Sequence, residues 1–143
     1  MPKFLRIILS VLLGIVAGSC VNMGLIMLSG HVIPPPAGAD VSTMEGLKAA
    51  LPLFGPQHFL FPFLAHALGT VAGAFVAARL ALGKTAVSAY VVGGFFLIGG
   101  IANVAMLPAP LWFNALDLLA YLPAAWLGHR LATKQSHGSK SSA

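Results

Sequence analysis

Long apolar runs that are almost free of charge dominate this sequence and limit what it can fold into. Four such runs cover about residues 4–28, 59–82, 85–107 and 111–131. A run of about 18 or more apolar residues with almost no charge is typical of a transmembrane helix. The sequence therefore predicts an all-α integral membrane protein, folded as an antiparallel bundle of four transmembrane helices.

The scarcity of charged residues supports the same fold class. Only 8% of the 143 residues are charged, against about 25% in an ordinary soluble domain. The net charge is +5, but the cations lie at the ends of apolar runs and form no basic stripe with interleaved aromatic residues. The pattern favours the lipid bilayer as a partner and argues against nucleic acid.

The runs leave room for a single membrane domain over residues 1–132. Only Gly83 and Lys84 join the second run to the third, and 108–110 join the third to the fourth. Such short connections make consecutive helices antiparallel neighbours. The remaining residues, 133–143, are polar, serine-rich and basic, and they are predicted to form a disordered cytoplasmic tail.

The distribution of lysine and arginine predicts the orientation in the membrane. With four alternating passes, seven of the eight cations fall on one side, and only Lys48 falls on the other, together with Asp40 and Glu45. Cytoplasmic loops carry an excess of lysine and arginine. We therefore predict a bacterial inner-membrane protein with both termini in the cytoplasm.

The first run has an alternative interpretation as a signal peptide. Lys3 and Arg6 give it a charged start, and 17–20 loosely resembles a lipoprotein cleavage site. However, Ala17 occupies the position three residues before the cysteine, where a lipoprotein cleavage site usually has a larger aliphatic residue. The apolar run also continues well past Cys20, the only cysteine. Because the run is too long for a signal-peptide core, we interpret it as a membrane span.

The long outer loop, 29–58, is predicted to contain a short amphipathic helix at about 43–51. Ser42 is followed three residues later by Glu45, which is the pattern of a helix start. Apolar residues then recur on one face at helical spacing: Met44, Leu47 and Leu51. This helix is either a lid over an external opening or a tether on the end of the bundle, and we favour the tether.

Small residues at a spacing of four predict close contacts between helices. Gly14 and Gly18 are four apart, and Ala65, Gly69, Gly73 and Ala77 recur every four residues. The glycine stripe of the third run comprises Gly93, Gly94, Gly99 and Gly100, without that spacing. They do not distinguish contacts within one chain from contacts between chains, so a homo-oligomer and a larger membrane complex both remain open. Pro123 is expected to kink the fourth helix.

Polar residues inside the apolar runs form the candidate site, because polar side chains are costly within a bilayer. With about 1.5 Å of rise per residue, five of them fall in the outer half of the membrane. These are Asn22, His66, Asn103, Asn114 and Asp117. At about 100° per residue, Tyr121 shares a face with Asn114 and Asp117. Thr70 shares a face with His66.

The acid Asp117 points most directly to a function. A charge near the bilayer centre costs about 2.5–3.5 kcal/mol on insertion scales, so a partner is expected. His66 is suited to that role because a His–Asp pair can share a proton near neutral pH. The pair predicts a proton relay, a pocket for a polar or cationic ligand, or a metal site. The structural alternative is a hydrogen-bond network that fixes the helix register.

Metal, cofactor and catalytic functions have weaker support. One histidine and one aspartate fall short of a closed metal site, and a haem held between two helices would need a second intramembrane histidine. The apolar runs contain no nucleophile motif and no second carboxylate. We predict no catalytic residue, no metal and no cofactor. His31 and His58 are interpreted as solvated loop residues.

Two hypotheses of function follow. In the first, the protein binds or transports a small solute or a proton through the His/Asp/Asn layer, as an oligomer. In the second, it is a non-catalytic accessory or assembly subunit that docks on a larger membrane complex through its small-residue faces.

Overall fold

The computed structural model describes residues 2–81 and 85–138, with side chains described as far as Lys134. Over these ranges the chain is helical and contains no β-strand, which confirms the all-α prediction. The described residues form five α-helices: α1 (Lys3–Val32), α2 (Met44–Ala50), α3 (Leu60–Leu80), α4 (Thr85–Met106) and α5 (Leu111–Gly138). Two 3-10 turns, Leu51–Leu53 and Pro56–Phe59, connect α2 to α3.

Three segments of the described chain are long and apolar enough to cross a bilayer. They are Lys3–Val32, Pro56–Leu80 and Thr85–Met106. Helix α5 has sufficient length at 28 residues, but Asn114 and Asp117 lower its hydropathy. Three of the four predicted spans therefore meet both requirements, and the fourth remains a prediction.

The last helix is longer than predicted. Helix α5 continues to Gly138, past the predicted end of the domain at Ala132. No glycine or proline lies between Leu131 and His137, so nothing in the sequence interrupts the backbone hydrogen bonds. Residues 133–138 are thus helical, which corrects the prediction that they are disordered. The rest of the predicted tail, 139–143, lies outside the described residues.

Helix α3 lies at the centre of the bundle. It packs against α1, α4 and α5, whereas α4 also packs against α5 and, less extensively, against α1. The short connections on either side of α4 make it antiparallel to both α3 and α5. The result is a bundle of long helices in which α3 and α4 lie between α1 and α5.

Two glycine pairs bring α1 and α3 into backbone contact. A Cβ atom at Gly14 would lie 2.6 Å from the carbonyl oxygen of Gly73, and one at Gly18 would lie 2.6 Å from that of Gly69. From one contacting pair to the next, the residue number rises on α1 and falls on α3, so the two helices are antiparallel. A larger side chain at any of these positions would separate them. These small residues therefore make contacts within one chain.

Only part of the glycine stripe on α4 is used in this way. Gly93 contacts Ala125 of α5, and Gly100 contacts the ring of Tyr121. The other two glycines of the stripe, Gly94 and Gly99, face open space, and a Cβ atom added at either would meet no atom within 4 Å. Spacing alone therefore does not identify which small residues lie at a helix interface.

The loop between α1 and α3 folds over one end of the bundle. Its helix α2 is capped by Thr43, whose Oγ1 accepts a hydrogen bond of 3.0 Å from the N–H of Gly46. Ser42, which the sequence suggested as the cap, instead donates from its N–H and its hydroxyl to Oδ1 of Asp40, at 2.9 and 2.6 Å. Pro52 lacks an N–H, and the α-helix gives way there to a 3-10 turn.

Polar contacts join the helices at the opposite end of the bundle. The guanidinium of Arg6 donates a 2.9 Å hydrogen bond to the carbonyl oxygen of Leu80 at the end of α3. Closer to the middle of the bundle, the buried hydroxyls of Ser10 and Ser88 are hydrogen-bonded to each other at 3.3 Å. These contacts fix α1 against the ends of its neighbours, and they were not predicted from the sequence.

Candidate functional site

His66 of α3 and Asp117 of α5 form a close pair. Nδ1 of the histidine lies 2.8 Å from Oδ1 and 2.9 Å from Oδ2 of the carboxylate. The aspartate is only 3% exposed, and α3 and α5 pack directly against each other. The contact that the sequence suggested between these two side chains is therefore present.

The geometry of the pair determines which ring nitrogen is available to a ligand. With both carboxylate oxygens beside it, Nδ1 carries a proton and donates to Asp117. In the neutral ring, Nε2 is then a hydrogen-bond acceptor, and in the protonated ring it is a second donor. Among the described residues, no protein group is hydrogen-bonded to Nε2.

Thr70 and Tyr121 support the pair from within the bundle. The Thr70 hydroxyl, which is fully buried, donates a 2.7 Å hydrogen bond to the carbonyl oxygen of His66. The ring of Tyr121 stacks on that of His66 with centroids 5.9 Å apart, and its hydroxyl interacts with Asp117. Both residues belong to the predicted layer, but they position the pair and do not line the cavity described next.

A cavity of about 470 Å³ lies in the half of the bundle nearest α2. This volume falls within the range of about 300–1,000 Å³ that is usual for small-molecule sites. The five polar residues predicted to share one layer all line it: Asn22, His66, Asn103, Asn114 and Asp117. Since α1, α3, α4 and α5 each contribute at least one of them, the fold brings together side chains that are far apart in sequence.

The three asparagines of the cavity differ in whether their side chains form hydrogen bonds within the protein. Asn114 donates a 3.3 Å hydrogen bond to the carbonyl oxygen of Ala109 in the turn before α5. By contrast, the carboxamides of Asn22 and Asn103 have no hydrogen-bond partner in the part of the chain that the structure describes. Each offers both a donor and an acceptor to a molecule in the cavity.

Apolar side chains close the end of the cavity beneath the loop. Leu51, Phe59 and Phe113 form a buried cluster, and Leu47 of α2 packs against it. Leu47 also lines the cavity. This group, which we call the roof, makes α2 part of the wall of the site as well as a tether on the bundle.

His58 is a residue of the site that was not predicted from the sequence. Its Nδ1 accepts a 3.0 Å hydrogen bond from the N–H of Gly55, and its Nε2 lies 3.2 Å from the carbonyl oxygen of Pro34. It also lines the cavity, so the interpretation as a solvated loop residue is wrong. The Gly55-Pro56 turn three residues before it was the only local signal, because the contact with Pro34 depends on the tertiary fold.

The described residues bring together no group of three or more histidine, cysteine, aspartate or glutamate side chains that suits a metal ion. Cys20, the only cysteine of the sequence, is exposed. What the site offers is a proton-carrying pair at the base of a largely apolar cavity, with two unengaged amides on its walls.

The site can therefore bind a molecule that forms a hydrogen bond with Nε2 of His66. No known protein family, curated protein or solved structure matches this chain.

Proposed function

We propose that this chain is a membrane protein of four transmembrane helices that binds a small solute in the cavity. His66 is the group that meets the solute, and Asp117, hydrogen-bonded to Nδ1, orients the imidazole ring. The observation that carries the proposal is the state of the polar groups. A purely structural network satisfies its own members, whereas Nε2 of His66 and two asparagine amides have no protein partners among the described residues around the cavity.

The exposed surface of α5 supports a fourth membrane span. Its polar residues Asn114 and Asp117 line the cavity, whereas Leu116, Leu119 and Leu122 are exposed, Leu119 by 75%. A helix whose polar residues face inward and whose outer face is apolar fits a bilayer despite a lower mean hydropathy. The inward polar face and the outward apolar face of α5 are therefore compatible with a membrane span.

Tryptophans near the two ends of the predicted fourth span, 111–131, support the same placement. Trp112 lies in its first turn, and Trp126 lies one turn before Arg130, whose guanidinium is 5.4 Å from the indole ring. Trp rings are enriched at both membrane–water interfaces. In the predicted orientation, Trp112 lies at the outer surface, so the cavity occupies the outer half of the membrane.

The packing below the cavity favours binding over open passage. A Cβ atom at Gly18 would lie 2.7 Å from the ring of Phe96, and Val92 and Thr70 are fully buried. In this conformation, helices in such close contact leave no room for a solute between them. Transport would require α1 and α4 to separate, so the site is a binding site with access from one side.

Histidine NMR of the protein in nanodiscs tests the proposal directly. The ¹⁵N signals of His66 are identified by their loss in His66→Gln, with His31→Gln as the matched variant outside the site. Butanol, butylamine and butyrate serve as probes of three hydrogen-bonding classes. We expect one class to shift the His66 signals saturably and to raise the melting temperature of the wild type and of His31→Gln, but not that of His66→Gln.

Two results would contradict this proposal. If no probe moves the His66 signals while His66→Ala and Asp117→Asn both melt several degrees lower, the layer serves only to hold the helices in register. If a stoichiometric partner protein co-purifies from native membranes, the accessory-subunit hypothesis becomes the better one.

A further inference from the structure

The cavity has a buried side and an exposed side. Asp117 at its base and Phe59 in its roof are only 3% and 4% exposed. On the long helices, three lining residues are instead exposed: Met23, at 59%, and Ile26, both on α1, and Asn103 on α4. Because a residue that both lines a cavity and is exposed marks its rim, the cavity opens between α1 and α4.

The separation of α1 from α4 at this level agrees with such an opening. Lower in the bundle the two helices touch, since Gly14 contacts Val92 and Gly18 contacts Phe96. Nearer the loop, a Cβ atom at Gly99 would meet no atom within 4 Å. Above the opening lies Met44 of α2, which also lines the cavity and is exposed. We call the opening bounded by Met23, Ile26, Met44 and Asn103 the α1–α4 window.

We propose that the α1–α4 window admits an amphiphile from the surrounding lipid, with its polar end at His66 and its apolar chain extending out between α1 and α4. This inference rests on the proposed function and names the class of ligand for that site. The window faces sideways from the bundle, so in the proposed membrane placement it meets acyl chains.

Entry from the lipid fits the distribution of polar and apolar walls. The roof of Leu51, Phe59 and Phe113 is buried, so a ligand from the aqueous side would have to displace it. Through the window, an apolar chain meets Met23 and Ile26, and the polar groups lie deeper inside. A ligand with one polar end therefore matches the order in which the cavity presents its surfaces.

The charges of the site restrict the polar end. No lysine or arginine lines the cavity in the described structure, and Asp117 lies behind His66. An anionic head group would meet the field of this carboxylate without a compensating fixed cation. A neutral or cationic group that donates a hydrogen bond, such as a hydroxyl, an amide or an amine, fits the free acceptor on Nε2.

Photocrosslinking in nanodiscs tests the window and the ligand class together. The probe is a long-chain primary alcohol with a diazirine on its chain, and its companion is a short water-soluble alcohol with the same group. We expect the long probe to label Met23, Ile26 and the α4 segment around Asn103, in competition with unlabelled long-chain alcohol. His66→Gln is expected to weaken the labelling about fivefold to tenfold, as for the loss of one hydrogen bond.

Three substitutions on α4 separate blocking the window from losing an amide. In a helix, a long side chain leans toward the preceding turn, so Asn103→Trp fills the space above Gly99 and should abolish labelling inside the cavity. Asn103→Ala leaves the window open and should retain labelling within about fivefold. Ile101→Trp adds the same bulk at a residue that is 52% exposed and does not line the cavity. The long probe should label this variant as strongly as it labels the wild type.

The outcomes distinguish this inference from the proposed function. His66-dependent labelling by the short alcohol alone would overturn the window and leave the binding site standing. No His66-dependent labelling by either alcohol would overturn both. Labelling by the long probe that survives Asn103→Trp would show general lipid contact and would overturn the inference. Melting curves of each variant verify that it is folded.

Discussion

The pairing of His66 with Asp117 sets the energetics of the site at the level of single residues. A buried carboxylate that loses its partner is left with the cost of desolvation, whereas removing both charges of a pair can be neutral. Asp117 is almost fully buried, so the two partners are not interchangeable in their effects. The asymmetry can be measured.

We expect His66→Ala to lower the free energy of unfolding by about 3 kcal/mol, since it leaves the Asp117 carboxylate unpaired. Asp117→Asn retains an acceptor for Nδ1 of His66 and should change stability by less than about 1 kcal/mol. The double variant should recover most of the loss. Denaturation in mixed micelles measures all three, and equal losses in both single variants would contradict this account.

Asp40 provides a pH-dependent contact outside the helical spans. The hydroxyl and the N–H of Ser42 donate hydrogen bonds to its carboxylate, and they lower the pKa of Asp40 from the ordinary value of 3.8. Hydrogen bonds to the charged form favour it. Because the pKa is lower when the loop is folded, this contact stabilises the loop above the ordinary pKa and is lost as the pH falls through the folded value.

Ser42→Ala should therefore raise the pKa of Asp40 toward its ordinary value, because it removes the hydroxyl that makes the largest contribution. Ser42→Thr keeps both donors and should keep the lowered pKa. Carboxyl ¹³C shifts followed through a pH titration measure it. An unchanged pKa in Ser42→Ala would show that the backbone N–H alone sets the value.

At the level of helices, the contact between α1 and α3 depends on the absence of side chains. Gly14 faces Gly73 so closely that any Cβ would clash with a carbonyl oxygen. Gly24, on the same helix, faces open space with no atom within 4 Å. The two glycines thus form a matched pair for testing whether helix packing or helix propensity limits stability.

Gly14→Leu is expected to lower the free energy of unfolding by about 2–3 kcal/mol, as overpacking does in a close-packed interior. Gly24→Leu should leave it unchanged or raise it slightly, because leucine favours the helix more than glycine. The same denaturation assay compares them. A loss in both variants, or in neither, would mean that the glycine contact does not limit stability.

The helices and the polar layer were predictable because both follow from local periodicity. Run length gives the approximate extent of each helix, and depth with helical phase placed Asn22, His66 and Asp117 at one level. The contacts of Ser10 with Ser88 and of His58 with Pro34 were not predictable. Each joins residues of different elements that are far apart in sequence, so only the tertiary fold identifies the partners.

At the scale of the whole molecule, the charges at the end of the bundle opposite the cavity bear on orientation. Arg6 reaches the end of α3, and the guanidinium of Arg79 lies 3.5 Å from the carbonyl oxygen of Ala132 on α5. The cations thus gather at one end of the helices, as required if that end faces the cytoplasm. Three helical segments meet the length and hydropathy requirements for a membrane span. Helix α5 has an apolar outer face but a lower mean hydropathy, so whether α5 crosses the bilayer decides the topology.

Cysteine labelling in intact cells answers it. In a Cys20→Ala background, Ser42→Cys should react with a membrane-impermeant maleimide, because the loop containing α2 lies outside in the proposed topology. Lys134→Cys should react only after the cells are permeabilised, because α5 returns the chain to the cytoplasm. If Lys134→Cys reacts in intact cells while Ser42→Cys also does, α5 does not cross. The cavity would then border water on the side of α5, and entry of a ligand from the lipid would lose its basis.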